Sequence, residues 1–194
     1  MNKRFQFGIG QLGIKPGAKY SLSLLLERQE LPCSRWKQLD QRTWRYGFDA
    51  KTNEISARAR SIKSIAAWRS FQGDRNWLWI QLIPFASSED AKQAMPRALD
   101  TTLSNLRAKV KLVSQHLVDL ETEVDLNFPT FTEQKSVNAK GEDASAKYVS
   151  ATVGKFGFII SGSSFHNQTW DQVLEIAVLQ SNKIKTLTMT KDDV

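Results

Sequence analysis

Cysteine is nearly missing from this chain: of 194 residues, only Cys33 carries a thiol. An intramolecular disulfide is therefore excluded, and so are cysteine-rich zinc and iron–sulfur sites. No base lies near Cys33 in sequence, so it is expected to be a buried thiol acting as a small apolar group. Histidine is almost as scarce, with His116 and His166 alone, too few for a His-rich metal centre. The GxxxxGK[ST] phosphate loop, HExxH, GxSxG and the EF-hand loop are absent. Long apolar runs are lacking too. The longest, Trp77 to Ala86, is interrupted by Gln81 and Pro84, far short of the ~20 residues of a membrane span. Residues 2–17 hold no apolar core of a secretory leader. The default expectation is a cytoplasmic protein, though an exported chain trimmed of its signal would read the same.

What is present describes a folded domain. The hydrophobic fraction is 41% and the charged fraction 24%, ordinary values that argue against disorder. One domain spanning 1–194 is expected to bury roughly 70% of its unfolded surface. The net charge of +7 is unevenly placed: residues 1–112 carry 20 Lys+Arg against 9 Asp+Glu, and residues 113–194 carry 7 against 11. A basic half suggests an anionic partner or pairing between halves; a merely lopsided surface is the plainer reading.

Residues 1–17 are glycine-rich and read as an arm. Tyr20, Leu22, Leu24 and Leu26 alternate with Ser21 and Ser23, the period of a strand over 18–28. Residues 31–48 lack periodicity and read as irregular with short extended pieces; 55–62 suggest a helical turn. From Ser64 the pattern sharpens into two aromatic-rich runs separated by Gly73-Asp74-Arg75, a hairpin signal. Ser87 and Ser88 before Glu89 and Asp90 are helix N-cap chemistry; Pro96 should kink that helix or begin another. Residues 109–120 read as a strand and 125–146 as a long polar loop. A second hairpin turns near Gly154-Lys155, and Thr169-x-x-Gln172 opens a last helix. The organisation is thus hairpin–helix twice, 64–106 and 146–187. The fold class expected is α+β: an antiparallel sheet with helices on one face, built from two β-hairpin–helix units.

Two stretches carry a resemblance. The junction Pro84-Phe85-Ala86-Ser87-Ser88-Glu89-Asp90-Ala91 leads from a strand into an Ala-rich helix. Lys155-Phe156-Gly157-Phe158-Ile159-Ile160-Ser161 precedes the C-terminal amphipathic helix. Together, over roughly residues 60–187, they resemble uncharacterised actinobacterial α+β proteins and the extracellular sensor domains and lipoproteins of mycobacterial kinase systems. The resemblance implies an α+β fold with a sensing or binding role and brings no catalytic signature. The chain departs from the extracellular members in its lack of a lipobox and of paired cysteines.

Among candidate residues, His116 is expected to be a satisfied structural histidine within a strand. His166, in the sequence SGSSFHNQT, is the one conceivable base of a hydrolase, but neither an orienting acid nor an oxyanion hole accompanies it. The best candidate surface is aromatic and basic: Trp36, Arg45, Arg69, Arg75, Trp77 and Trp79. If the Leu78–Ile80–Leu82 side of its strand meets the helices, Trp77 and Trp79 face the other way, unless residues 1–60 fold across them. Indoles with arginines suit an acidic or hydrophobic protein or small ligand; they also suit nucleic acid, whose bases stack on indoles. The expected function is a non-catalytic binding module without a cofactor, with nucleic-acid binding as the alternative. Enzyme activity stands third.

Overall fold

The computed structural model describes residues 16–32, 35–49, 54–56, 62–73, 76–107, 111–120, 123–137, 141, 143–164 and 169–189. Alternation along one strand shows how they are layered. In β4 (Asn76–Pro84), Leu78, Ile80 and Leu82 are fully buried, and Ile83 on the other side of the strand is 3% exposed. Successive strand side chains point to opposite faces, so β4 is covered on both. It lies at the centre of an eight-stranded sheet of order β2-β1-β3-β4-β8-β7-β6-β5, antiparallel at every pairing. The other strands are β1 (Lys37–Asp49), β2 (Glu54–Ser56), β3 (Ile62–Gln72), β5 (Lys111–Leu117), β6 (Asn127–Val137), β7 (Asp143–Val153) and β8 (Phe156–Ser164). The pairing of β4 with β8, from Asn76↔Ser164 to Pro84↔Phe156, welds the two halves of the chain into one sheet.

The three helices are α1 (Pro16–Ser23), α2 (Ser88–Arg107) and α3 (Trp170–Met189). Leu78, Ile80 and Leu82 share a core with Val173, Ile176, Ala177 and Ile184 of α3 and with Leu24, Leu25 and Leu26 after α1. Ala66, Ile83 and Ile159 share a separate core with Ala91, Ala94, Met95, Ala98 and Leu99 of α2. The α+β class with an antiparallel sheet and packed helices therefore holds, but the helices do not lie on one face. The physical reason is visible in β4 itself: NWLWIQLIP is apolar on both sides, the mark of a strand covered twice. A rotation exchanging β4 with β8 about an axis normal to the sheet would bring α2 and α3 to the same face. Their opposite placement makes the two hairpin–helix units alike in element order only.

Other expectations change at the ends of the chain. Residues 18–28 form helix α1, then an irregular Leu24–Leu26 segment and a 3-10 turn at Arg28–Glu30, instead of a strand. Pro16 suits the first helical position, and Ala18, Ser21, Leu22 and Leu25, buried or half-buried, also fit the i, i+3, i+4, i+7 spacing of a helix. Residues 37–49, expected to be irregular, form β1, a polar strand fixed by eleven residue pairings with β3. Glu54–Ser56 is a strand, so the helical turn expected over 55–62 does not hold at its described ends; residues 57–61 lie outside the described residues.

The expected loop at 125–146 is mostly sheet. β6 buries Phe131, Thr132 and Gln134, and Pro129 sits where the β6–β7 register shifts between Asn127 and Thr130. A proline lacking its N–H is tolerated at such an interruption. The β7–β8 turn is at Gly154, whose φ of 53° favours glycine. At the start of α2, Ser87 Oγ accepts the Asp90 N–H at 3.1 Å, the expected cap. One helix runs through Pro96, which is exposed.

Candidate functional site

Strand register decides which candidate residues meet. Trp79 pairs with Ser70 and Trp77 with Gln72 on one side; on the other, Trp79 pairs with Ser161 and Trp77 with Ser163. Directly paired residues share a face, so Trp77 and Trp79 stand together on the α2 side, among serines. Both indoles are half-buried, and Trp79 packs against the α2 core. Trp68, paired with Gln81 and with Arg42, joins the same face. The Arg42 guanidinium lies 5.6 Å from the Trp68 ring centroid and 2.6 Å from Asp40. α2 crosses the end of this face near Gly157, where a methyl group would overlap Met95. The tryptophans lie towards the other end of the same strands.

The remaining candidates are elsewhere. Trp36 is 8% exposed in the α3-side core and packs over Gly73, where a Cβ would meet its Cζ3 at 3.4 Å. Arg45 is exposed and pairs with Ile65, one position from Trp44 and hence on the opposite face. Arg75, His166 and Cys33 lie outside the described residues.

Arg69 does not join the indoles. It is 5% exposed on the α1 side, where Nη1 donates to the carbonyls of Leu25 (3.1 Å) and Leu26 (2.8 Å). Nη2 donates to Leu22 O (3.4 Å) and to Gln41 Oε1 (3.2 Å). Burial lowers its pKa from the ordinary value, opposed by Glu27 and Glu30. From the other side, the buried Gln180 of α3 accepts the Leu26 N–H at 3.0 Å and donates to Leu24 O at 2.7 Å. The irregular Leu24–Leu26 segment thus has its buried backbone satisfied by two side chains from distant parts of the chain, as burial demands. Arg69 is a structural staple.

Beside the indoles, on the same face, lies a buried polar chain with no local signal in the sequence. Tyr148, 4% exposed, donates to Gln134 Oε1 at 2.9 Å, and Gln134 Nε2 donates to Gln115 Oε1 at 2.7 Å. The Tyr148 ring lies 6.2 Å from that of Trp79, tilted 59°. Burial raises the Tyr148 pKa to about 12, against the opposing hydrogen bond with Ser161. Thr132 and Ser150, on the same face, bury hydroxyls that have no hydrogen-bond partner, adding unused polar capacity. The alternations Trp77-Trp79 and Ala66-Trp68-Ser70 foreshadow this surface; β6 to β8 reach it through pairings no local pattern displays.

Elsewhere a cleft of about 450 Å³ lies between Leu120, Glu123 and Val124 on one side and the first turns of α3 on the other. Among the described residues no group of three or more His, Cys, Asp or Glu could hold a metal ion. His116, expected to be a structural histidine, is half-exposed on β5, with Nε2 3.7 Å from Glu133. Gly8, Gly10 and Gly13 have the GxGxxG spacing, but that motif serves parallel βαβ units, and the described sheet is antiparallel throughout. No described helix is long and apolar enough to cross a membrane.

No family model and no curated protein sequence matches the chain. A solved structure does: the extracellular domain of PknH from Mycobacterium tuberculosis. It is 12% identical, with a TM-score of 0.54 over 87% of this chain and 96% of that one. The likeness is one of fold, and it agrees with the mycobacterial extracellular-domain resemblance read from the sequence.

Proposed function

We infer that the chain is a non-catalytic binding module that engages a protein or small ligand on the indole side of its sheet. The observation carrying this reading is the face itself: Trp68, Trp77 and Trp79, half-buried, grouped by register with Ser70, Ser161 and Ser163. Aromatic side chains offer large contact areas at low entropic cost and are favoured binding anchors. The shared fold with an extracellular domain supports a binding role and an exported location. A hydrophobic or aromatic partner fits better than a strongly acidic one, because Arg69 is committed to carbonyls, Arg45 faces away, and Arg42 beside Trp68 is paired with Asp40. The nucleic-acid alternative needs free cations and indoles along one track, and Arg42, beside Trp68, is already paired with Asp40.

The test uses the aromatic probe 8-anilinonaphthalene-1-sulfonate. Saturable binding with energy transfer from tryptophan is expected, lost in Trp77→Ala/Trp79→Ala while the folded state persists. Iodide should quench single-Trp variants at 77 and 79 more than one retaining only Trp36. Unchanged probe binding in the double variant would overturn the assignment.

A further inference from the structure

The cleft beside α3 differs from the indole face in charge. Among the described residues, Leu120, Val124, Trp170, Leu174 and Val178 give it apolar walls, Glu123, Asp171 and Glu175 supply its ionisable groups, and no basic side chain lines it. Trp170, Leu174 and Val178 recur every four residues and so form one stripe of α3, with Asp171 and Glu175 a neighbouring pair beside it. The three carboxylates are exposed and make no salt bridge among the described residues.

We propose that this cleft binds a small organic cation, an amine carried on an apolar body. Its volume of about 450 Å³ suits such a ligand, since small-molecule pockets run from ~300 to 1,000 Å³. The apolar stripe takes the body, and the carboxylates take the charge. The cations nearby are already matched: Lys147 Nζ is 3.4 Å from Glu133, and Lys185 Nζ is 2.9 Å from Asp125. Lys147 Nζ also stands 5.8 Å from the Trp170 ring centroid, so this indole already serves as a cation–π partner. The amino end of α3 opposes a cation with about half a positive charge, fewer than the three negative groups supply. An anion would meet those three groups with only that half charge to offset them.

The experiment follows the Trp170 indole N–H by NMR, assigned with Trp170→Phe, during titration with 2-phenylethylamine and, separately, with its neutral analogue 2-phenylethanol. A saturable shift is expected for the amine with a Kd of about 1 mM or tighter. The alcohol should bind about threefold more weakly. The variant Glu123→Gln/Asp171→Asn/Glu175→Gln, altered only at exposed positions, should erase that preference, and about 0.5 M NaCl should weaken it. Equal affinity for amine and alcohol would overturn the proposal, as would full amine binding by the triple variant or no saturation. A Lys-rich decapeptide that saturates the signal where the amine does not would assign the cleft to a protein partner and also overturn it. Movement of the Trp77 and Trp79 signals in place of Trp170 would count against it as well.

Discussion

Arg69→Ala offers a direct way to separate a structural arginine from a ligand-binding one. The substitution removes the donors to the Leu25 and Leu26 carbonyls, at 3.1 and 2.8 Å, both in buried bonds. A buried carbonyl left without a donor costs about 1–3 kcal/mol, so two cost about 2–6 kcal/mol. The bonds to Leu22 O and Gln41 Oε1 are longer and part-buried, and water can replace them. Releasing a buried cation recovers some desolvation energy, leaving a net loss of about 3 kcal/mol. Arg69→Lys should lose roughly half as much, because one ammonium cannot span the same carbonyls as a planar fork. Urea unfolding measures the loss, and hydrogen exchange at the Leu26 N–H localises it. Probe binding at Trp77 and Trp79 should be unchanged in the folded variant, since Arg69 is on the other face. A loss below about 1 kcal/mol would refute the staple. Abolished probe binding at unchanged stability would return Arg69 to the ligand site.

Gln180→Leu leaves the Leu26 N–H and the Leu24 carbonyl buried and unpaired. It should cost about 2–4 kcal/mol in urea unfolding, and combined with Arg69→Ala it should show non-additivity, because both hold one segment. Tyr148 has a folded pKa of about 12 against an ordinary 10.0, so between these values the folded state keeps a proton that the unfolded chain releases. Its contribution is intact below pH 10 and falls as pH rises through 12, by about 3 kcal/mol; Tyr148→Phe should remove that part of the decline in alkaline unfolding curves. Gly157→Ala would overlap Met95 and bring a methyl within 3.1 Å of Phe85 Cε2. A lower thermal midpoint, worth about 1–3 kcal/mol, is expected, with partial rescue by Met95→Ala; no change would contradict the seating of α2 on β8.

The two hairpins, α2 and α3 were legible because each carries a local signal: turn residues near Gly73 and Gly154, the Ser87 cap, and apolar periodicity. Residues 18–28 were misread because Ser-Leu-Ser-Leu-Leu-Leu satisfies both a two-residue and a helical period. β1 and β6 were missed because their side chains are mainly polar, and pairing with β3 and β7 stabilises them through backbone bonds that composition does not encode. Of the candidate site, the shared side of Trp77 and Trp79 followed from alternation alone. The separation of Arg69 from them required only the hairpin register, Arg69 opposite Ile80 and Ser70 opposite Trp79.

By itself, the sequence determined the class of fold, the places where hairpins turn and helices begin, and the exclusion of a disulfide within these residues and of cysteine-rich metal sites. These depend on neighbours along the chain or on which atoms exist at all. Tertiary structure alone decided that β4 pairs with β8, that α2 and α3 cover opposite faces, and that Arg69 and Gln180 hold the Leu24–Leu26 backbone. Each joins groups distant in sequence, and the free energy that selects them arises only when those groups leave water together.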